Sequence, residues 1–95
     1  AALQIGGINV YPEQVRARLA AHPQLSDCAV RPMSPEAGAR LKAFLVPAQA
    51  GEDAETLLGE VRSWCRDNLA TVERPVQLTV GHALPRNAMG KLADW

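Results

Sequence analysis

The chain has 95 residues, of which 47% are hydrophobic and only 4% are aromatic. This length fits one domain, and its core must consist mostly of Leu, Val and Ala side chains. Ten basic and ten acidic residues cancel, which argues against an electrostatic grip on nucleic acid or on an anionic membrane. No apolar stretch approaches the roughly 20 residues that a transmembrane helix needs. The first residues lack the basic start and apolar block of a signal peptide, and we therefore expect a cytoplasmic domain.

Cysteine and histidine usage predicts neither a disulfide framework nor a metal site. Cys28 and Cys65 have no CxxC spacing, and a single cross-link would not form a framework. We interpret both as small apolar side chains in a reducing compartment. His22 and His82 lie far apart in the sequence, without ligand spacing to the cysteines, which favours ordinary helix-end and loop histidines.

The first part of the chain predicts a β-hairpin followed by a helix. In LQIGGINVYP, residues 3–12, apolar side chains alternate about the pair Gly6-Gly7, which suits two short strands joined by a glycine turn. Pro12 is typical of a helix start, and Glu13 places a negative charge where it favours the helix dipole. We expect the helix to end at His22-Pro23, because the residue before a proline is driven out of helical backbone angles.

Two β-rich runs, a second helix and a last strand follow. LSDCAVRP and RLKAFLVP flank a segment of turn composition and predict an antiparallel pair with a longish loop. From Asp53, a residue type that caps helices, to Leu69, apolar residues recur at helical spacing. VQLTV then predicts a third strand with Val76, Leu78 and Val80 on one face.

This order of elements predicts the α+β class. We expect a two-layer domain in which an N-terminal hairpin and a small three-stranded sheet pack with two main helices. Such a fold hosts many functions, so particular residues have to indicate which function this chain has.

Residues 85–91, PRNAMGK, place a lysine directly after a glycine near the end of the sequence. A Gly-Lys pair is found in phosphate loops, but such a loop needs a second glycine five residues before Gly90 and a Ser or Thr after the lysine. Pro85 and Leu92 stand at those two positions. The phosphate-loop interpretation therefore fails, and Lys91 needs another explanation.

Two segments at opposite ends of the chain, GGINVYPEQV and LPRNAMGK, resemble the C-terminal domain of the AMP-forming adenylating enzymes. These are the acyl-CoA synthetases, the adenylation domains of peptide synthetases and the luciferases. The resemblance runs over essentially all of residues 1–95 and includes AAHPQLSDCAV, EAGARLKAFLVP and LATVERP in the order that the family uses. The positions that resemble the acyl- and aryl-CoA synthetase branch are Gly7, Val10, Pro12 and Glu13. Peptide-synthetase domains usually show Leu-Gly-Glu where this chain has Pro12-Glu13-Gln14.

The resemblance implies that a carboxylate and ATP form an acyl-adenylate and pyrophosphate, after which a thiol takes the acyl group as a thioester. It also implies that Lys91, behind Gly90, is the catalytic lysine of the adenylation step. Two anions must approach in that step while negative charge builds on the transferring phosphoryl group. A flexible ammonium that reaches both anions positions them and offsets the charge. The alternative interpretation of Lys91 is a solvated surface lysine.

The resemblance implies a second set of residues that bind coenzyme A or phosphopantetheine. In the family this domain rotates after adenylation, and the loop of Gly7, with Ile8 beside it, lines the tunnel that pantetheine enters. A glycine suits that place because a backbone without Cβ can lie directly against a narrow chain. Arg74 matches a position where several aryl-CoA ligases carry a basic residue near the nucleotide phosphates of CoA, and a guanidinium forks well onto phosphate. The alternatives are a simple hairpin glycine and an ordinary exposed arginine.

Three stretches depart from the family pattern. The usual Leu-Ala-x-Tyr-Lys-x-Pro reads LATVERP at residues 69–75, and Arg31-Pro32-Met33 replaces a Gly-x-Pro. Residues 92–95, LADW, replace a basic continuation. These changes leave the thiol acceptor open between free CoA, the phosphopantetheine of a carrier protein and an unusual acceptor.

The family's large N-terminal domain carries the ATP phosphate loop, its magnesium and the carboxylate pocket, and it is not in these residues. We therefore expect residues 1–95 to be the mobile C-terminal domain of a longer enzyme and to work with that large domain and its carboxylic acid substrate. Alone, the chain should be monomeric and inactive. An alternative of another class is a stand-alone interaction or regulatory domain that has kept the fold and lost the chemistry.

Overall fold

The computed structural model describes residues 2–95, and its elements follow the predicted order, which confirms the α+β class. An antiparallel hairpin precedes the first helix, two strands, the second helix and a last strand. The elements are β1 (Leu3–Ile5), β2 (Ile8–Val10), α1 (Pro12–Leu19), β3 (Leu25–Pro32), β4 (Leu41–Pro47), α2 (Ala54–Asn68) and β5 (Gln77–Val80). Short 3-10 turns lie at Pro35–Ala37 and Thr71–Glu73.

The three-stranded sheet has the order β3-β4-β5. β3 and β4 pair antiparallel, with Leu25 opposite Pro47 at one end and Pro32 opposite Leu41 at the other. β5 joins β4 in parallel, because α2 carries the chain back across the sheet between them. The direction of the last strand is therefore set by the crossover helix and not by a turn.

The alternation of side chains along β4 gives the sheet two different faces. Leu41, Ala43 and Leu45 are almost fully buried in the main core, which both helices and the hairpin share. Phe44 and Val46 point the other way and form a smaller cluster with residues of the tail that follows β5. Helices and hairpin thus cover one face of the sheet, and the irregular tail covers the other.

Two predicted boundaries are shifted in the structure. α1 ends at Leu19, before the predicted stop at His22-Pro23, because the chain turns there and the N–H of His22 donates to the oxygen of Leu19 at 2.9 Å. Val76 was predicted to lie in the last strand on one face with Leu78 and Val80, but it precedes β5 and is 43% exposed. Asp53 caps α2 as predicted, accepting from the N–H of Thr56 at 3.0 Å.

Cys28 and Cys65 are buried free thiols. None of the helices in residues 2–95 has the length and hydropathy of a membrane span. The same described residues contain no group of three or more His, Cys, Asp or Glu side chains that could hold a metal ion.

Candidate functional site

Lys91 lies on a tight loop between two paired arms of the tail. Arg86 and Leu92 form an antiparallel bridge, and the N–H of Asn87 donates to the oxygen of Lys91 at 2.9 Å. At the base of the loop the N–H of Ala93 donates to the oxygen of Pro85, also at 2.9 Å. These bonds fix both ends of the segment that carries the lysine.

Asn87 and Gly90 explain how the loop reverses so sharply. The Oδ1 atom of Asn87 accepts from the N–H of Met89 at 2.9 Å and from the N–H of Lys91 at 3.1 Å. Gly90 has a φ of +78°, a left-handed conformation that favours glycine. Lys91 is exposed, and Met89 beside it is 79% exposed. The Lys91 ammonium therefore stands on a braced, protruding turn, a suitable arrangement for carrying a point charge onto another surface.

The turn of the N-terminal hairpin places Gly6 and Gly7 at φ values of +57° and +79°. Two successive residues with positive φ are typical of the two-residue hairpin turn that matches the twist of its strands. Apart from the glycine and its two chain neighbours, no described residue has an atom within 4 Å of the place where a Cβ of either glycine would stand, and Ile8 is 54% exposed. The backbone thus accounts for both glycines, and the surface around Gly7 is open enough for a narrow ligand.

The Gly7 turn and the Lys91 loop belong to opposite sides of the domain. Ile5 and Val10, which belong to the two strands of the hairpin, are part of the main core on the helix side of the sheet. Leu92, next to Lys91, packs with Phe44 on the other side. The structure therefore does not bring these two predicted site residues together, and any ligand that meets one of them approaches a different face from a ligand that meets the other.

Arg74 is less free than an ordinary surface arginine. Its Nε atom donates to the oxygen of Leu69 at 3.0 Å, and its Nη2 atom donates to the oxygen of Arg66 at 3.0 Å. These acceptors are carbonyls at the end of α2, where backbone oxygens lack partners within the helix. Arg18 donates to the oxygen of Asn68 at the same helix end. Arg74 thus has a structural role in addition to any role in binding.

Four arginines line one cavity of about 320 Å³ at this end of α2, and no acidic residue lines it with them. They are Arg40, Arg62, Arg66 and Arg74. Arg40 is braced by the backbone, since its Nη2 atom donates to the oxygens of Thr71 and Arg74 at 2.9 and 3.1 Å. In a chain with no net charge, this is a local concentration of positive charge of the kind that binds phosphate. Sequence reasoning found only Arg74.

Comparison with known proteins gives a consistent picture over nearly the whole chain. Residues 14–91 match the model of a family described as the AMP-binding enzyme C-terminal domain. The chain is 49% identical over 90 residues to a 4-coumarate–CoA ligase of Halorhodospira halophila, a match that covers 95% of this chain and 23% of that protein. A 2-succinylbenzoate–CoA ligase of Geobacillus kaustophilus is 32% identical over 87 residues, which are 92% of this chain and 17% of that protein. The chain therefore spans less than a quarter of the length of either relative.

Solved structures agree with these relatives. An anthranilate CoA ligase in complex with anthranoyl-AMP superposes with a TM-score of 0.77 at 29% identity, over 96% of this chain and 18% of that one. The O-succinylbenzoate coenzyme A synthetase of Bacillus subtilis in complex with AMP superposes with a TM-score of 0.69 at 33% identity, again over 96% and 18% of the two chains.

Proposed function

Because the chain belongs to the AMP-binding enzyme C-terminal domain family, we propose that it acts as the mobile C-terminal domain of an AMP-forming acyl- or aryl-CoA ligase. In the first step the acid's carboxylate oxygen attacks the α-phosphate of ATP and pyrophosphate leaves. In the second step the thiol of CoA attacks the acyl carbon of the adenylate and AMP leaves. ATP with its magnesium, and the acid, bind mainly to the large N-terminal domain of the same enzyme, and this chain presents a different face in each step.

In the adenylation step the ammonium of Lys91 contacts the carboxylate and the ribose-phosphate oxygens. A fixed positive charge that lies where negative charge develops lowers the barrier without later reorganisation. The observation that carries this proposal is the loop itself. Asn87 and Gly90 brace an exposed turn that carries the lysine, on the sheet face opposite the Gly7 hairpin.

In the thioester step the opposite face is used, and Gly7 with Ile8 lines the path of pantetheine. The open surface around the Gly7 turn supports this role. Arg74 and the other arginines of its cavity contact the nucleotide phosphates of CoA. The arginine cavity favours free CoA over a carrier protein as the acceptor, because the phosphopantetheine of a carrier lacks the nucleotide and its phosphates.

A fusion enzyme tests this proposal without knowledge of the natural acid. Residues 1–95 replace the matching C-terminal segment of the Halorhodospira halophila 4-coumarate–CoA ligase, and formation of 4-coumaroyl-CoA is measured. We expect the fusion enzyme to be active, while the truncated relative and the isolated 95-residue chain both lack ATP–pyrophosphate exchange with 4-coumarate. A folded fusion enzyme no more active than the truncated relative would overturn the proposal.

A further inference from the structure

Two basic residues lie directly opposite each other on the tail side of the sheet. Arg31 of β3 and Lys42 of β4 are partners in the antiparallel register. Like charges in that position repel each other. Lys42 is also only 8% exposed, and a cation buried to that extent needs a partner. Something close by must offset the two charges.

Asp94 and Trp95 of the tail supply the partners. The Nζ atom of Lys42 lies 2.8 Å from Oδ1 of Asp94 and donates to the backbone oxygen of Trp95 at 2.7 Å. The Nη1 atom of Arg31 lies 3.7 Å from the same Asp94 oxygen. The hydrogen bond from Lys42, together with the charges of Lys42 and Arg31, holds the pKa of Asp94 below its usual value. One carboxylate therefore serves both cations.

The Trp95 ring completes the contact between tail and sheet. The Nζ atom of Lys42 lies 4.9 Å from the ring centroid, and Cζ of Arg31 lies 5.6 Å from it. Phe44 meets the same ring edge-on, with centroids 5.8 Å apart and an interplanar angle of 76°. Cation–π and edge-to-face contacts both have defined geometry, so they fix the position of the tail more closely than apolar contact alone would.

These contacts lie immediately behind the Lys91 loop. The Nη2 atom of Arg31 donates to the backbone oxygen of Leu92 at 3.0 Å, and Leu92 is the next residue after Lys91. Leu92 is also the bridge partner of Arg86 on the other arm of the loop. The Arg31–Lys42 pair thus holds the arm from which Lys91 projects.

We propose that Arg31 and Lys42 are positioning residues for adenylation, which set the location of the Lys91 ammonium by holding residues 92–95 against the sheet. This inference rests on the role of Lys91 under the proposed function. The two lysines of the chain then have different roles. Lys42 fixes the tail, and Lys91, which the tail positions, contacts the reacting groups. A shift of about 1 Å in a reacting group can lower a rate by about 100-fold, so loss of the Lys42 contacts should slow adenylation.

The test compares the two half-reactions in the fusion enzyme. Lys42→Met keeps an unbranched side chain of most of the length and removes its charge, and Asp94→Asn removes the shared carboxylate with little change in shape. We expect each variant to slow ATP–pyrophosphate exchange with 4-coumarate by about 10- to 100-fold. Thioester formation from supplied 4-coumaroyl-AMP should change less than about twofold, since that step does not use Lys91 under the proposed function. Lys42→Arg, which keeps a cation, should recover much of the exchange rate.

A double variant separates positioning from general loss of structure. If Lys42 acts through Lys91, Lys42→Met should have almost no further effect on exchange in the Lys91→Ala background. Glu60→Ala, which removes an exposed carboxylate from α2, is the matched control for Asp94→Asn and should leave both half-reactions unchanged. Equal slowing of both half-reactions, or multiplied effects in the double variant, would overturn the inference while leaving the role of Lys91 intact. No effect of Lys91→Ala itself would overturn the proposed function instead.

Discussion

Gly7→Trp should slow the thioester half-reaction and leave the adenylation half-reaction unchanged. The indole would stand on the open surface where pantetheine should pass, whereas the Lys91 loop lies on the other side of the sheet. We expect normal ATP–pyrophosphate exchange in the fusion enzyme and a thioester rate that is lower by about 100-fold or more. This magnitude corresponds to about 2.7 kcal/mol or more in the barrier.

The structure also indicates how much folding stability the substitution at Gly7 should cost. Beyond the two chain neighbours of Gly7, no described residue has an atom within 4 Å of an added Cβ, so the first carbon of a new side chain meets no clash with the rest of the fold. The φ of +79° remains, and a left-handed conformation costs a residue with a Cβ about 1–2 kcal/mol. A domain of this size should then melt roughly 4–8 °C lower for each kcal/mol. Gly7→Ala should show this loss of stability with only a mild effect on the thioester rate.

Gly6→Trp is the matched control, because Gly6 also has positive φ and open surroundings. It carries the same side chain at a similar backbone cost, one position away from the proposed tunnel. We expect its thioester rate to exceed that of Gly7→Trp by at least about 10-fold. Equal thioester rates in these two variants, or unchanged CoA turnover in a folded Gly7→Trp enzyme, would refute the tunnel assignment.

Three other predictions concern the helix end, the thiols and the tail. Arg74→Ala should lower the stability of the isolated chain in urea by about 1.5–3 kcal/mol, because a charged donor to two helix-end carbonyls is lost. The same substitution should raise the KM for CoA in the fusion enzyme. Unchanged stability would contradict the role of Arg74 as a cap of the helix end. Burial raises the pKa of Cys28 and of Cys65, so a thiol reagent at about pH 8 should label them slowly until denaturant unfolds the chain. Asp94 has a lowered pKa in the fold, so its contribution to stability is present above about pH 4 and is lost as the pH falls through the lowered value. The stability difference between the chain and its Asp94→Asn variant should therefore shrink at acidic pH, and a constant difference would argue against the ion pair with Lys42.

Local pattern was sufficient to predict most elements of the fold. The β-rich run LSDCAVRP with its closing proline predicts β3 with the bounds that the structure shows, and Asp53 caps α2 as its residue type indicates. The parallel pairing of β5 with β4 could not be read in the same way, because it depends on how α2 packs on the sheet. The early end of α1 could not be read from local pattern either, because a turn over residues 19–22 ends the helix before the position where Pro23 would end it.

Some residues of the candidate site could likewise be read from local sequence, and others are brought together only by the fold. Lys91 and Gly90 could be proposed from the sequence because they are neighbours in a recognisable motif. The arginine cavity was missed, because Arg40 lies just before β4 while its partners come from α2 and from beyond it. Arg62 and Arg66, one helical turn apart, were the only local signal of it. The pairing of Arg31 with Lys42 depends on the register of β3 on β4, which the sequence does not show. Their partner Asp94 lies in LADW, residues 92–95, which the sequence marked only as a departure from the family pattern.

The ratio of the two half-reaction rates in Lys91→Ala tests the central claim most directly. In the fusion enzyme, ATP–pyrophosphate exchange should fall by roughly 100- to 1000-fold, the usual loss when one charge-stabilising group is removed from a transition state. Thioester formation from supplied 4-coumaroyl-AMP should stay near the unsubstituted rate. Met89→Ala, in the same exposed loop, should change neither rate. An equal fall of both rates in Lys91→Ala, or no fall in exchange, would contradict the assignment of Lys91 to adenylation.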